Sequence, residues 1–141
     1  MLEINNFISG KKTPSETKNF VSLYKPTTGE EYARTPVSTP EEFKNIINLM
    51  KSAQKNWAET TLMKRSSILF KFKNLIEKNF DELAKIISYE HGKVFSDAKG
   101  SLQRGLEVVD FACGIPHLLK GSHSINVGTN VDSFDIRQPL G

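Results

Sequence analysis

Apolar residues recur through the middle of this 141-residue chain with the spacing of helices. Phe43, Ile46, Ile47, Met50, Ala53 and Trp57 fall at intervals of 3, 1, 3, 3 and 4, one face of a helix running to about Trp57. Its start is written in the preceding STPEEF. Thr39 suits the N-cap, Pro40 the first helical position and Glu42 the third, the pattern of a capping box. A second helix is predicted over about 62–79, with Ile68, Leu69, Phe72, Leu75, Ile76 and Phe80 on its buried side. Asp81 is read as the cap of a third, which carries Leu83, Ile86 and Ile87 and stops at Gly92. A fourth starts near Ser96 or Asp97. It is interrupted at Gly114-Ile115-Pro116, because proline has no amide hydrogen and crowds the preceding turn. The following HLLKG adds one more turn.

Both ends of the chain read as strands instead. Residues 7–12, FISGKK, read as a strand with a Ser-Gly turn signal. Phe20, Ser22 and Tyr24 alternate with Val21 and Leu23, the pattern breaks at Pro26 and Gly29, and a strand resumes around Glu31 to Arg34. Near the other end, SINV and SFDIRQ are short strand candidates separated by Gly128-Thr129-Asn130, a hairpin or crossover. The expected fold is α+β: a strand-and-turn region over 1–37, about four main helices over 38–121, and strands over 122–141. A closing strand pair leaves edges unpaired, so the segment is expected to be incomplete as a folding unit.

Composition narrows the functional classes. With 38% apolar and 25% charged residues the chain is an ordinary globular sequence. A net charge of +3, evenly spread, argues against nucleic acid as a partner. The densest basic run, Lys64, Arg65, Lys71, Lys73 and Lys78, lies on a helix whose other face is apolar, and is read as a solvated face. A single cysteine cannot form an internal disulfide, which favours a reducing, cytoplasmic setting. The first residues lack the pattern of a signal peptide, and no apolar run approaches the ~20 residues of a membrane span.

Few residues carry candidate chemistry. There is no G-x-G-x-x-G, no P-loop and no cysteine pair; His91, His117 and His123 are too far apart for a metal motif and are read as structural or surface residues. Cys113 follows Phe111 and Ala112 on an apolar stripe and is read as a small buried hydrophobe. Arg104 differs. Leu102, Leu106, Val109 and Cys113 form one stripe of the fourth helix, Arg104, Val108, Phe111 and Ile115 a second, and Gln103, Glu107, Asp110 and Gly114 the polar face. An arginine on an apolar stripe needs a carboxylate or phosphate for its planar fork. Gly105 beside it leaves room for a ligand or backbone to approach. Periodicity alone leaves two readings open: a structural arginine, paired with a distant acid or snorkelling to water, or a ligand-binding one.

Taken in order, several stretches resemble the N-terminal part of the aldehyde dehydrogenase superfamily. They are NNFISGKK, YKPTTGEEYARTPVSTPEEF, the Ala53 to Trp57 A-x-x-x-W, ILFKFKNLIEKN and EHGKVFSDAKGSLQRG. RGLEVVDFACG, LLKG and RQPLG are most similar to the CoA-acylating methylmalonate-semialdehyde dehydrogenases. One departure is Lys25, where the family usually has asparagine before the proline. The resemblance implies a fragment of the α/β aldehyde dehydrogenase fold. It also implies, for a complete enzyme, NAD- and CoA-dependent oxidation of malonate or methylmalonate semialdehyde, with loss of CO2, in valine and inositol breakdown. Arg104 matches an arginine that in the family helps hold the substrate carboxylate. The nucleotide-binding sheet, the nucleophilic cysteine and the catalytic glutamate are expected beyond Gly141, so the chain alone is expected to be silent. A complementary C-terminal chain is the expected partner, with homo-oligomers through the tail strands. The rival expectation is a non-catalytic helical interaction module or truncated remnant.

Overall fold

The computed structural model of the chain describes residues 2–140. The strand-forming beginning divides into β1 (Leu2–Glu3), β2 (Asn6–Ile8), β3 (Lys11–Thr13), β4 (Phe20–Tyr24) and β5 (Glu31–Pro36). β2 and β3 are an antiparallel hairpin rather than one strand. Ser9 and Gly10 sit between them at φ 51° and 80°, the left-handed pair that matches the twist of a two-residue hairpin turn. β4 and β5 pair antiparallel, and β1 lies parallel on the other side of β5, giving the order β1-β5-β4.

Five helices follow: α1 (Pro40–Glu59), α2 (Leu62–Lys78), α3 (Phe80–His91), α4 (Phe95–Cys113) and the short α5 (Ile115–Leu118). The capping box on α1 forms in full, with the Thr39 hydroxyl accepting from the Glu42 amide and the Glu42 carboxylate accepting from the Thr39 amide. Glu42 also accepts from the Ser15 hydroxyl and the Glu16 amide, tying the helix start to the loop after β3. Hydrogen bonds from the Thr39 and Glu16 amides and from the Ser15 hydroxyl hold its pKa down at about 2. Gly92 closes α3 at φ 69°. A side chain there would also press on Pro26 and Thr27, so glycine serves both a left-handed cap and a close approach to the β4–β5 turn.

α2, α3 and α4 form the packed part of the molecule, with α4 against both of the others and α5 against α2. Lys73 of α2 pairs with Asp110 of α4 at 2.6 Å, and Lys99 of α4 with Asp81 of α3 at 2.7 Å. The hydrogen bond to Asp110 raises the pKa of Lys73. The Ser66 hydroxyl donates to the Cys113 carbonyl at 2.7 Å, satisfying one of the acceptors a helix end leaves open. β6 (His123–Gly128) and β7 (Val131–Phe134) form an antiparallel hairpin, exposed along both strands. Among the described residues no helix is long and apolar enough to cross a membrane.

Several expectations are corrected. Asp81 does not cap α3; Asn79 occupies that position with no side-chain cap bond, and Asp81 instead binds Lys99 across to α4. α4 begins at Phe95, earlier than Ser96 or Asp97. Ile68, Phe72 and Leu75, placed on the buried side of α2, are exposed, while Arg65 and Ser66 are buried. The basic run is therefore not one solvated face.

The segment covers little of its own apolar surface. The buried apolar residues are small ones and a few others: Ala33, Ala84, Ala98, Leu106 and Cys113. Its accessible surface is 10985 Å² for 15.9 kDa, whereas a self-contained monomer of that mass exposes roughly 7,400 Å². The α+β arrangement is present, but much of its helical apolar surface stays exposed, including Phe43, Met50, Ile68, Phe72, Leu75, Val108 and Phe111.

Candidate carboxylate site

The turn from α3 to α4 builds the most chemically suggestive cluster. Ser88 donates its hydroxyl to the Lys93 carbonyl at 2.7 Å, fixing the backbone just after the Gly92 cap. T-shaped packing of Tyr32 on Tyr89, with ring centroids 5.4 Å apart, holds the end of α3 against the sheet. Lys93 then turns its ammonium to the Ser101 hydroxyl at 2.7 Å. Arg104, one helical turn further along α4, donates to the same hydroxyl oxygen at 3.3 Å.

Two cations thus share one neutral acceptor, and among the described residues neither makes a salt bridge. A hydroxyl oxygen has two lone pairs, so the arrangement is saturated yet carries no compensating charge. A carboxylate arriving here would replace a weak acceptor by a strong one, since charge-assisted hydrogen bonds are roughly twice as strong as neutral ones.

The structure corrects the ground on which Arg104 was singled out. It is exposed, and its stripe points outward with it: Val108 is 68% and Phe111 70% exposed. The other stripe, with Leu106 and Cys113 buried, is the one that packs. Arg104 therefore needs no buried acid inside this segment. A side chain at Gly105 would meet nothing within 4 Å, so the space beside Arg104 is open. Lys93 and Ser101 were missed in the sequence, although Ser101 lies three residues before Arg104, a spacing that brings helical side chains together.

The remaining candidates stand apart. His91, His117 and His123 are each exposed, and among the described residues no group of three or more His, Cys, Asp or Glu side chains comes together to hold a metal. Cys113 is buried and its carbonyl is engaged by Ser66. Among the described residues the strands form one three-stranded sheet and two hairpins.

Comparison with known proteins gives the cluster a setting. Residues 12–141 match the model of the "Aldehyde dehydrogenase family". Malonate-semialdehyde dehydrogenase 2 of Oceanobacillus iheyensis is 38% identical over 138 residues, which are 98% of this chain and 28% of that protein. The mitochondrial acylating methylmalonate-semialdehyde dehydrogenase of Arabidopsis thaliana is 39% identical over 98% of this chain and 23% of its own length. A protein assigned as methylmalonate-semialdehyde dehydrogenase from Sinorhizobium meliloti, solved with NAD, superposes with a TM-score of 0.92 at 37% identity. That match covers 100% of this chain and 29% of the other. The chain thus spans under a third of the length of these relatives.

Proposed function

Because the chain belongs to the aldehyde dehydrogenase family, we propose that it forms the N-terminal part of a malonate- or methylmalonate-semialdehyde dehydrogenase. In this reading Arg104 holds the substrate carboxylate, and Lys93 and Ser101 stand beside it. The observation that carries the reading is the convergence of Lys93 and Arg104 on the Ser101 hydroxyl with no carboxylate between them.

What these residues contribute is orientation. A semialdehyde has a carboxylate at one end and the reacting carbonyl at the other, so gripping the first fixes the direction of the second. The guanidinium matches a carboxylate by two parallel hydrogen bonds, and the Lys93 ammonium adds charge without fixed geometry. In this reading the complete enzyme would use NAD as hydride acceptor and CoA as acyl acceptor. The segment alone is expected to be inactive.

The test is a chimera in which this chain replaces the equivalent N-terminal part of the Oceanobacillus enzyme. Arg104→Ala is expected to raise KM for malonate semialdehyde by about tenfold or more while leaving propanal oxidation nearly unchanged. Equal loss on both aldehydes would return Arg104 to a structural role, and a folded chimera without semialdehyde turnover would remove the reading itself. The exposed apolar helix faces favour a second reading, a non-catalytic interaction module. Light scattering of the chain with and without the C-terminal part of a relative separates the two. A stable monomer that ignores that part contradicts the enzyme reading.

A further inference from the structure

Among the described residues, Arg65 combines burial with a side-chain donor that has no partner. It is only 9% exposed, and its Nε is buried with no hydrogen-bond partner. Among the described residues it makes no salt bridge. It sits in the first turn of α2, where no acidic residue is present and where Lys64 adds a second cation. The positive end of the helix dipole lies there as well, which disfavours cations. A buried, unpaired charge is among the most destabilising features a fold can carry, whereas the same charge with a hydrogen-bonded partner is tolerated. Nothing in α2's own geometry rewards an arginine at this position.

The backbone that carries Arg65 is fixed by its neighbours. The next residue, Ser66, is fixed to the Cys113 carbonyl at the end of α4, and α5 packs against α2. Its own backbone amide donates to the Thr61 carbonyl at the helix start. Arg65 thus lies on the turn of α2 that is tied to the end of α4, in a segment exposing far more surface than a self-contained protein would.

We infer that Arg65 is an anchor whose partner is a carboxylate side chain from the polypeptide that completes the fold. The inference rests on the proposed reading of this segment as the first part of a longer enzyme. It concerns assembly and not substrate, and separates two arginines on neighbouring helices. Arg104 is exposed and takes a small acid, while Arg65 is enclosed and takes a fixed one. A fixed partner fits the burial, because a carboxylate carried on a packed element is desolvated by assembly itself, whereas a free acid has to give up its hydration and fills the site only at high concentration.

The test compares Arg65→Met in two settings by thermal melting. In the 141-residue chain, removing an unpaired buried charge while keeping the aliphatic stem is expected to leave the midpoint unchanged or raise it. In the chimera with the Oceanobacillus enzyme the same substitution is expected to lower the midpoint by several degrees, with Arg65→Lys recovering part of the loss. A fall in the isolated chain, or no fall in the chimera, overturns the inference. Should the chimera not assemble, formate titration of the isolated chain decides, at ionic strength matched with chloride. With Arg104→Ala in both chains to remove the exposed carboxylate site, formate is expected to raise the midpoint of the chain carrying Arg65 and not of the one carrying Arg65→Met, and equal shifts overturn the inference. A formate effect joined to an unchanged chimera assigns the site to a free small carboxylate, which also overturns it. Melting does not depend on turnover, so an inactive but folded chimera would count against the proposed function and leave this result standing.

Discussion

Two regions of this molecule were built from similar amphipathic sequence and ended differently. α2, α3 and α4 pack on one another, exchange the Lys73–Asp110 and Asp81–Lys99 ion pairs, and enclose Leu106 and Cys113. α1 is longer than any of them and carries the most complete cap, yet has no buried residue and makes no more than isolated contacts with other elements. Phe43 and Met50 on its apolar face are 62% and 60% exposed. The difference teaches that a helix start is a local matter, decided by three or four residues, whereas burial requires a second surface. α1 has the first and lacks the second.

The largest expected effect tests whether the three-helix cluster is a true core. Leu106→Ala should destabilise the chain by ~2–5 kcal/mol, the range for truncating a buried leucine, measured by urea denaturation. A loss below about 1 kcal/mol would place α4 among the uncovered elements with α1. Next comes Ser66→Ala, which leaves the Cys113 carbonyl without its donor and is expected to cost about 1–2 kcal/mol in the same experiment.

The contrast with α1 can be read directly, because Trp57 is the only tryptophan and lies on that helix. Trp57 fluorescence is expected to change at lower urea than far-UV circular dichroism, since most helical signal comes from the cluster. Coincident transitions would show one cooperative unit and break the comparison.

Acid sharpens the same contrast. The pKa of Glu42 falls from 4.5 to about 2 on folding, so its stabilisation of the α1 start is complete above pH 4.5 and is lost as pH falls towards 2. Glu42→Gln should remove that part of the acid dependence seen by Trp57. An unchanged acid profile would mean that the cap does not report on α1. The smallest effect is expected of Phe111→Ala, within about 0.5 kcal/mol in this chain, because the side chain is already in water. A large loss would show the outer stripe of α4 to be packed after all.

Much was written in the sequence because it is enforced locally. The Thr39-Pro40-Glu42 cap, the Gly92 stop and the break at Pro116 each follow from the backbone chemistry of a few residues, and each stands where the spacing put it. The hairpin at Ser9-Gly10 was half legible, as a turn signal inside what read as one strand. The order of the motifs also carried the family, which the comparisons establish. What periodicity could not decide was which of two apolar stripes would find a neighbour. That choice fell to the tertiary structure. α4 turned Leu106 and Cys113 inward and left Val108 and Phe111 outside with Arg104. Nor does spacing register that Arg65 is enclosed or that Lys93 reaches Ser101, since both depend on how α2 and α3 meet α4. Caps and turns are short-range and encoded by identity; burial and charge pairing are long-range and exist only once the surfaces have met.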